Sequence, residues 1–228
     1  MRRIFTMALV SAVLAVFAPA AAHAAPAAHA APATPAAAPS GEGGQAVYGA
    51  NGVRCTLGFN VRRNGTYYFL TAGGCAQVGL TLYADPALTT ELGTVVAVSD
   101  IAVALVRYVE PQVERPGSVR LYPGSQDITS AGSPVVGQSV CRSGPTTGVR
   151  CGTVTAINIT VRFPEGTITG LARTTICTEP GDAPGAPYFS GTTAVGLGIG
   201  GIGDCASGGT SFFQPISPIL SAYGVSVY

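Results

Sequence analysis

A hydrolytic site needs a nucleophile, a base to take its proton and donors for the developing oxyanion. The only histidines are His23 and His29, both in the first 30 residues, and the chain has no lysine. A Ser–Lys pair is therefore excluded, and the region from Ala46 onward has no imidazole base. Carboxylates and hydroxyls are the remaining candidates, with Asp100 and Ser190 to be weighed. Six cysteines, Cys55, Cys75, Cys141, Cys151, Cys177 and Cys205, include no Cys-x-x-Cys and have no histidine beside them. That pattern argues against a metal site and for disulfides. Six cysteines allow fifteen pairings, of which sequence-neighbour pairing is the simplest, each bridge contributing roughly 3 kcal/mol. The run Gly198–Gly203, "GIGGIG", fits G-x-G-x-x-G, but Asp204-Cys205 and further glycines follow it instead of a helix. It reads as a glycine-rich loop and not as a nucleotide cradle. Asn64 and Asn158 head glycosylation sequons that short chance matches readily produce.

The elements that would position these residues are strands. Runs such as "TLGFNV", "GTYYFLTA", "IAVALVRY" and "GTVTAINITVRF" are rich in β-branched and aromatic residues and broken by Gly, Pro, Asn and Asp. Such a chain predicts an all-β barrel or sandwich. Asn64-Gly65 predicts a tight hairpin turn, and "SPILSAYGVSVY" one short helix after Pro218 that stops near Gly224.

The ends and the charge set further bounds. Met1-Arg2-Arg3, an apolar run from Ile4 to Phe17 and Ala22-His23-Ala24 form a secretory signal peptide over residues 1–24. Spanning a bilayer takes about 20 apolar residues, so no membrane anchor is expected after cleavage. Residues 25–45 read as an Ala/Pro-rich linker or short leader, and residues 46–228 as one domain. Removing Arg2 and Arg3 takes the formal charge from +1 to −1, which provides no electrostatic footprint for nucleic acid.

Ordered blocks carry a resemblance: "CTLGFNV", "TYYFLTAGGC", "VRY", "GSQDIT", "CRSGPTTG", "GDAPGAPYFSGT", "GDCASGGTSFFQP" and "LSAYGVSVY". From about Gly41 to Tyr228 the chain resembles the streptogrisin-type, chymotrypsin-like secreted bacterial serine proteases. The resemblance implies two packed antiparallel six-stranded β-barrels with the site in the cleft between them. It also implies the bridges Cys55–Cys75, Cys141–Cys151 and Cys177–Cys205, with no cofactor and no metal.

The same resemblance assigns the site residue by residue. Gly74 stands at the family's His position in Leu70–Cys75, and Ala183, followed by Pro184, stands at the nucleophile. Ungapped counting from Val106-Arg107-Tyr108 puts Ala102 at the Asp position; a two-residue shift would bring Asp100 there and keep strand parity. Ile199 replaces the Ser that supports that Asp, and Ser190 matches an ordinary Ser of the following strand. The backbone N–H groups of Gly181 and Ala183 are the expected remnant of the oxyanion hole. Ile199, Gly200 and Gly201 are the expected remnant of the peptide-binding edge. The expectation from sequence is a secreted, monomeric protein without catalysis that holds extended peptides or a proteinaceous protease inhibitor in the old cleft. The alternatives are a weak or unconventional serine-type endopeptidase or hydrolase, using Ser190 or Asp100, and a structural exported protein.

Overall fold

The computed structural model describes residues 40–100, 102–109, 113–164, 166–182 and 184–228. The expected signal peptide with His23, and His29 in the expected linker, lie outside the described residues. Seven strands come first: β1 Ala46–Gly49, β2 Arg54–Thr56, β3 Asn60–Arg63, β4 Thr66–Ala72, β5 Thr81–Tyr83, β6 Glu91–Val98 and β7 Val103–Tyr108. A short pair, β8 Ser118–Arg120 and β9 Ser125–Asp127, leads to the second set. That set is β10 Ser130–Ala131, β11 Ser139–Gly144, β12 Gly148–Phe163, β13 Gly166–Thr174, β14 Pro187–Ser190, β15 Thr193–Asp204 and β16 Gly208–Pro215. Helix α1, Ile216–Tyr223, ends the fold.

The first sheet runs β2-β1-β5-β6-β7-β4-β3. Its two ends are one bent strand. Leu57 N–H donates to Gln45 O, Gly58 N–H to Leu70 O and Leu70 N–H to Phe59 O, so the bend between β2 and β3 closes the barrel at six strands. Gly58 makes the bend possible, because a Cβ there would strike the Leu197 side chain and lie 2.9 Å from the carbonyl oxygens of Gly185 and Leu70. The second sheet runs β10-β15-β14-β11-β12-β13-β16, and the added β15–β16 pairing closes six strands. The remaining strand, β10, adds to β15 in parallel, the one exception to the antiparallel expectation within these two sheets.

Strand periodicity explains the packing. In β7, Ala104, Val106 and Tyr108 point into the first barrel with Phe69 and Leu82. Val103 and Leu105 point the other way, into a core shared with Phe189, Ala194 and Leu197 of the second barrel and with Ile216 and Ile219 of α1. Both faces are buried, which is why "VALVRY" lacks the usual alternation of apolar and polar residues. Each fully buried large apolar side chain stabilises the fold by about 1.5–3 kcal/mol. A third cluster, Val140, Val154, Tyr188, Phe213 and neighbours, fills the second barrel.

Local signals were followed closely. Asn64 and Gly65 both take positive φ, 49° and 76°, as a two-residue hairpin turn of this hand requires. Helix α1 starts at Ile216, two residues before Pro218; Pro218 sits in the first turn, where its missing N–H costs no hydrogen bond. Gly224 caps it in the left-handed region at φ 60°. The three bridges Cys55–Cys75, Cys141–Cys151 and Cys177–Cys205 are formed.

One boundary moves. Residues 40–45 were expected to belong to the linker, yet they are part of the fold. Ser40 bridges to Glu114, Gly41 N–H donates to Glu114 O and Gly44 N–H to Leu57 O. The buried Glu42 carboxylate accepts from Ser118 Oγ at 2.6 Å and pairs with Arg120 at 3.4 Å. Low sequence complexity concealed these contacts, because glycine backbone makes most of them.

Candidate active site

A cleft of about 670 Å³ lies between the two barrels. The first barrel lines it with Val53, with Arg54 and Cys55 of β2, with Gly74 and Cys75, and with Ser99, Asp100 and Ala102. The second supplies Phe163, Thr167 and Ile168 from the β12–β13 hairpin, together with Pro184 and Ile199. The fold thus brings together Gly74, Ala102, Asp100 and Ile199. Ser190 is elsewhere, in β14, with its Oγ donating to Ser139 O at 2.9 Å. Ala183 lies outside the described residues.

Gly74 sits in a short 3-10 turn, Gly73–Cys75, that follows β4. Gly73 N–H donates to Ala102 O at 2.7 Å and Cys75 is bridged to β2, so the turn is fixed from two sides. A Cβ built on Gly74 meets nothing within 4 Å. Ala102 ends the β6–β7 turn at φ 59°, its N–H donating to Ser99 O at 3.1 Å. The parity expectation for Asp100 and Ala102 fails here. Ser99 N–H donates to Val103 O and Ala102 N–H back to Ser99 O, so Asp100 and Ala102 do not lie on a strand and two-residue alternation does not apply to them. Ala102 is the residue bonded to the Gly73 turn, and Asp100 is exposed at the cleft rim.

The loop carrying Ala183 is tied down on both sides. Asp182 is fully buried and its carboxylate accepts from Thr146 N–H at 2.9 Å, Thr147 N–H at 3.0 Å, Thr147 Oγ1 at 2.7 Å and Glu179 N–H at 3.3 Å. It also pairs with the fully buried Arg142 at 3.4 Å. Burial pushes the Asp182 carboxyl up, but the Thr147 hydroxyl and N–H, the Arg142 charge and the Thr146 N–H outweigh it and hold it below the ordinary carboxylate value. On the far side, Pro184 O accepts from Thr56 N–H at 2.9 Å and Gly185 N–H donates to Gly198 O at 2.9 Å.

Of the expected oxyanion donors, Gly181 is described. It has φ 92°, and the space a Cβ would occupy there is filled by the Arg54 guanidinium, with Thr146 Oγ1 2.9 Å away. A cation thus covers the loop where only backbone N–H groups were expected. The strand edge is better preserved. In β15, Gly200 and Gly201 pair with Phe212 and Ser211 of β16, while the edge toward β14 pairs only as far as Gly198, through Gly185 and Ala186. Beyond Gly198 that edge has no strand partner among the described residues. Phe163 lies beside Gly200 and stacks edge-on with Phe212 at 6.2 Å, walling one side of the edge.

No family model matches the chain. It is, however, 48% identical to streptogrisin-D of Streptomyces griseus over 189 residues, 81% of this chain and 47% of that protein. Glutamyl endopeptidase 2 of the same organism is 42% identical over 82% of this chain and 98% of its own length. Among solved structures, "Alpha-lytic protease homolog N4" superposes with a TM-score of 0.75 at 47% identity, over 83% of this chain and all of its own. The chain belongs to the streptogrisin-type, chymotrypsin-like serine protease family. It spans about half the length of streptogrisin-D and nearly all of the shorter family member.

Membership in the family corrects one expectation. A protein that is not an enzyme was expected from the residue types at the site, but the relatives matched over most of the chain are named as proteases and endopeptidases. Sequence reasoning also missed three cleft residues, Arg54, Ser99 and Phe163. The first was in reach, because it precedes Cys55 and the Cys55–Cys75 bridge carries it to Gly74. Phe163 had no local signal, since only the length of the β12–β13 hairpin brings it to the cleft.

Proposed function

We propose that this chain is an exported, monomeric endopeptidase-type hydrolase that works weakly and by an unconventional site. An extended polypeptide adds to the free edge at Ile199–Gly201, where main-chain hydrogen bonds supply affinity whatever the sequence. Gly74, Ala102 and Ala183 occupy the family's His, Asp and Ser positions in this reading. The attacking group is then water, and acceleration comes from binding and from electrostatic stabilisation at the Gly181–Pro184 loop. Protease sites stripped of their triad retain about 10³–10⁴ over water from these two sources. The edge of β15 beyond Gly198, which has no strand partner among the described residues and lies beside the cleft, is the observation that carries the reading.

An ester separates this from simple peptide capture, since its leaving group needs no protonation and water attack alone suffices. Purified protein should hydrolyse an N-acylated peptide aryl ester faster than buffer, saturably, and without forming an adduct with a fluorophosphonate. A rate equal to buffer sinks the proposal, and an adduct on a serine replaces it with a conventional nucleophile.

A further inference from the structure

The cleft contains a cation that the catalytic account above does not require. Arg54 is exposed on β2 and lines the cleft; it makes no ion pair within 4.0 Å among the described residues. Its guanidinium lies over Gly181, with Cζ 3.1 Å from where a Cβ on that glycine would be. The only other charged side chain among the described residues lining the cleft is Asp100. One charge of each sign suits a ligand with a single negative group and disfavours a polyanion.

We propose that the cleft selects peptides ending in a free α-carboxylate, which Arg54 holds beside Gly181. This rests on the reading that extended peptide adds to the Ile199–Gly201 edge. A strand laid on that edge ends at the loop, because Gly198 next to the edge is bonded to Gly185 and Ala186. A terminal carboxylate there faces a guanidinium whose planar fork matches its two oxygens. An internal peptide carbonyl at the same point carries no charge to pair with it. The carboxylate end is also what hydrolysis of a bound peptide generates, so the acid product of a cut is retained and slows the next turnover.

N-acetylated random hexapeptide pools, one with C-terminal acids and one with C-terminal amides, are titrated by calorimetry into the wild-type chain and Arg54→Gln. The acid pool is expected to bind at least ten-fold more tightly to wild type, with the advantage falling as salt rises. Arg54→Gln should reduce the acid-to-amide ratio to about one while leaving amide affinity unchanged. Arg54→Lys, which keeps the charge and loses the fork, should fall between. Equal binding of acid and amide by wild type overturns the carboxylate site and leaves the peptide edge standing. An undiminished ratio in Arg54→Gln removes Arg54 from it. Failure of both pools to bind overturns the edge reading and this inference with it.

Discussion

Replacing Asp182 with alanine tests what holds the central loop. The substitution takes the acceptor away from four donors, Thr146 N–H, Thr147 N–H, Thr147 Oγ1–H and Glu179 N–H. It also leaves Arg142 charged and fully buried without its ion-pair partner, with Nη2 still donating to Thr147 Oγ1 and Cys177 O but Nε and Nη1 already lacking partners among the described residues. Removing one member of a buried pair costs about 3–5 kcal/mol, and the four stranded donors place this case toward the upper end. For a domain of this size 1 kcal/mol corresponds to roughly 2–4 °C, so Tm should fall by about 10 °C or more. Thermal unfolding followed by circular dichroism with disulfides intact reads the change. The double variant Arg142→Met/Asp182→Leu should recover part of the loss, because no charge is then left buried, while the four donors still lack an acceptor. A drop of under about 3 °C for Asp182→Ala, or no recovery in the double variant, would refute the assignment of the loop's rigidity to this pair.

Three further outcomes follow from the same geometry. The Asp182 carboxyl is held below its ordinary value in the folded chain, so its stabilisation is complete above the unfolded carboxylate pKa and is lost as pH falls through the folded one. Wild type should therefore lose stability on acidification more steeply than Asp182→Asn, as read by denaturant midpoints across the acid range. Gly185→Ala should destabilise by about 3 kcal/mol, because φ is 94° and the new methyl would press on Thr56 O and lie 2.6 Å from Thr71 Oγ1; urea unfolding measures it. Gly74→His should fold with stability within about 1 kcal/mol of wild type, since its Cβ enters open space. It should speed ester hydrolysis, because the new imidazole at the cleft can take a proton from the attacking water, a general base that the wild-type domain lacks.

The strands, the Asn64-Gly65 turn and the helix near Gly224 were legible because each is written in local chemistry: alternation, positive-φ residues and a glycine cap. The barrels' closure was not. It depends on Gly58 letting β2 bend into β3, and the need for glycine there comes from Leu197 and Gly185, more than a hundred residues away. At the site, counting from neighbouring blocks singled out Gly74 and Ala102, and both line the cleft. Counting also suggested that Asp100 and Ala102 share a face, and the Ser99–Val103 and Ala102–Ser99 hydrogen bonds removed the strand on which that rested. Arg54 over Gly181 is a contact between β2 and a loop joining strands of the other barrel, so its meaning appears only once the barrels pack. What the residue types did not convey was the family's enzymatic standing, which came from similarity along the whole domain and not from the site alone.

Cleavage of a polypeptide in water enriched in oxygen-18 tests the central claim most directly. Purified chain is incubated with an unfolded, disulfide-free protein substrate, and new carboxyl ends are read by mass spectrometry. Gly201→Val, which pushes a side chain into Thr178 Oγ1 and disturbs the peptide edge, serves as the control. The account predicts slow accumulation of labelled ends by wild type, insensitive to fluorophosphonate and lost in Gly201→Val. Labelled ends no more abundant than in buffer, or equally abundant in the variant, would contradict it.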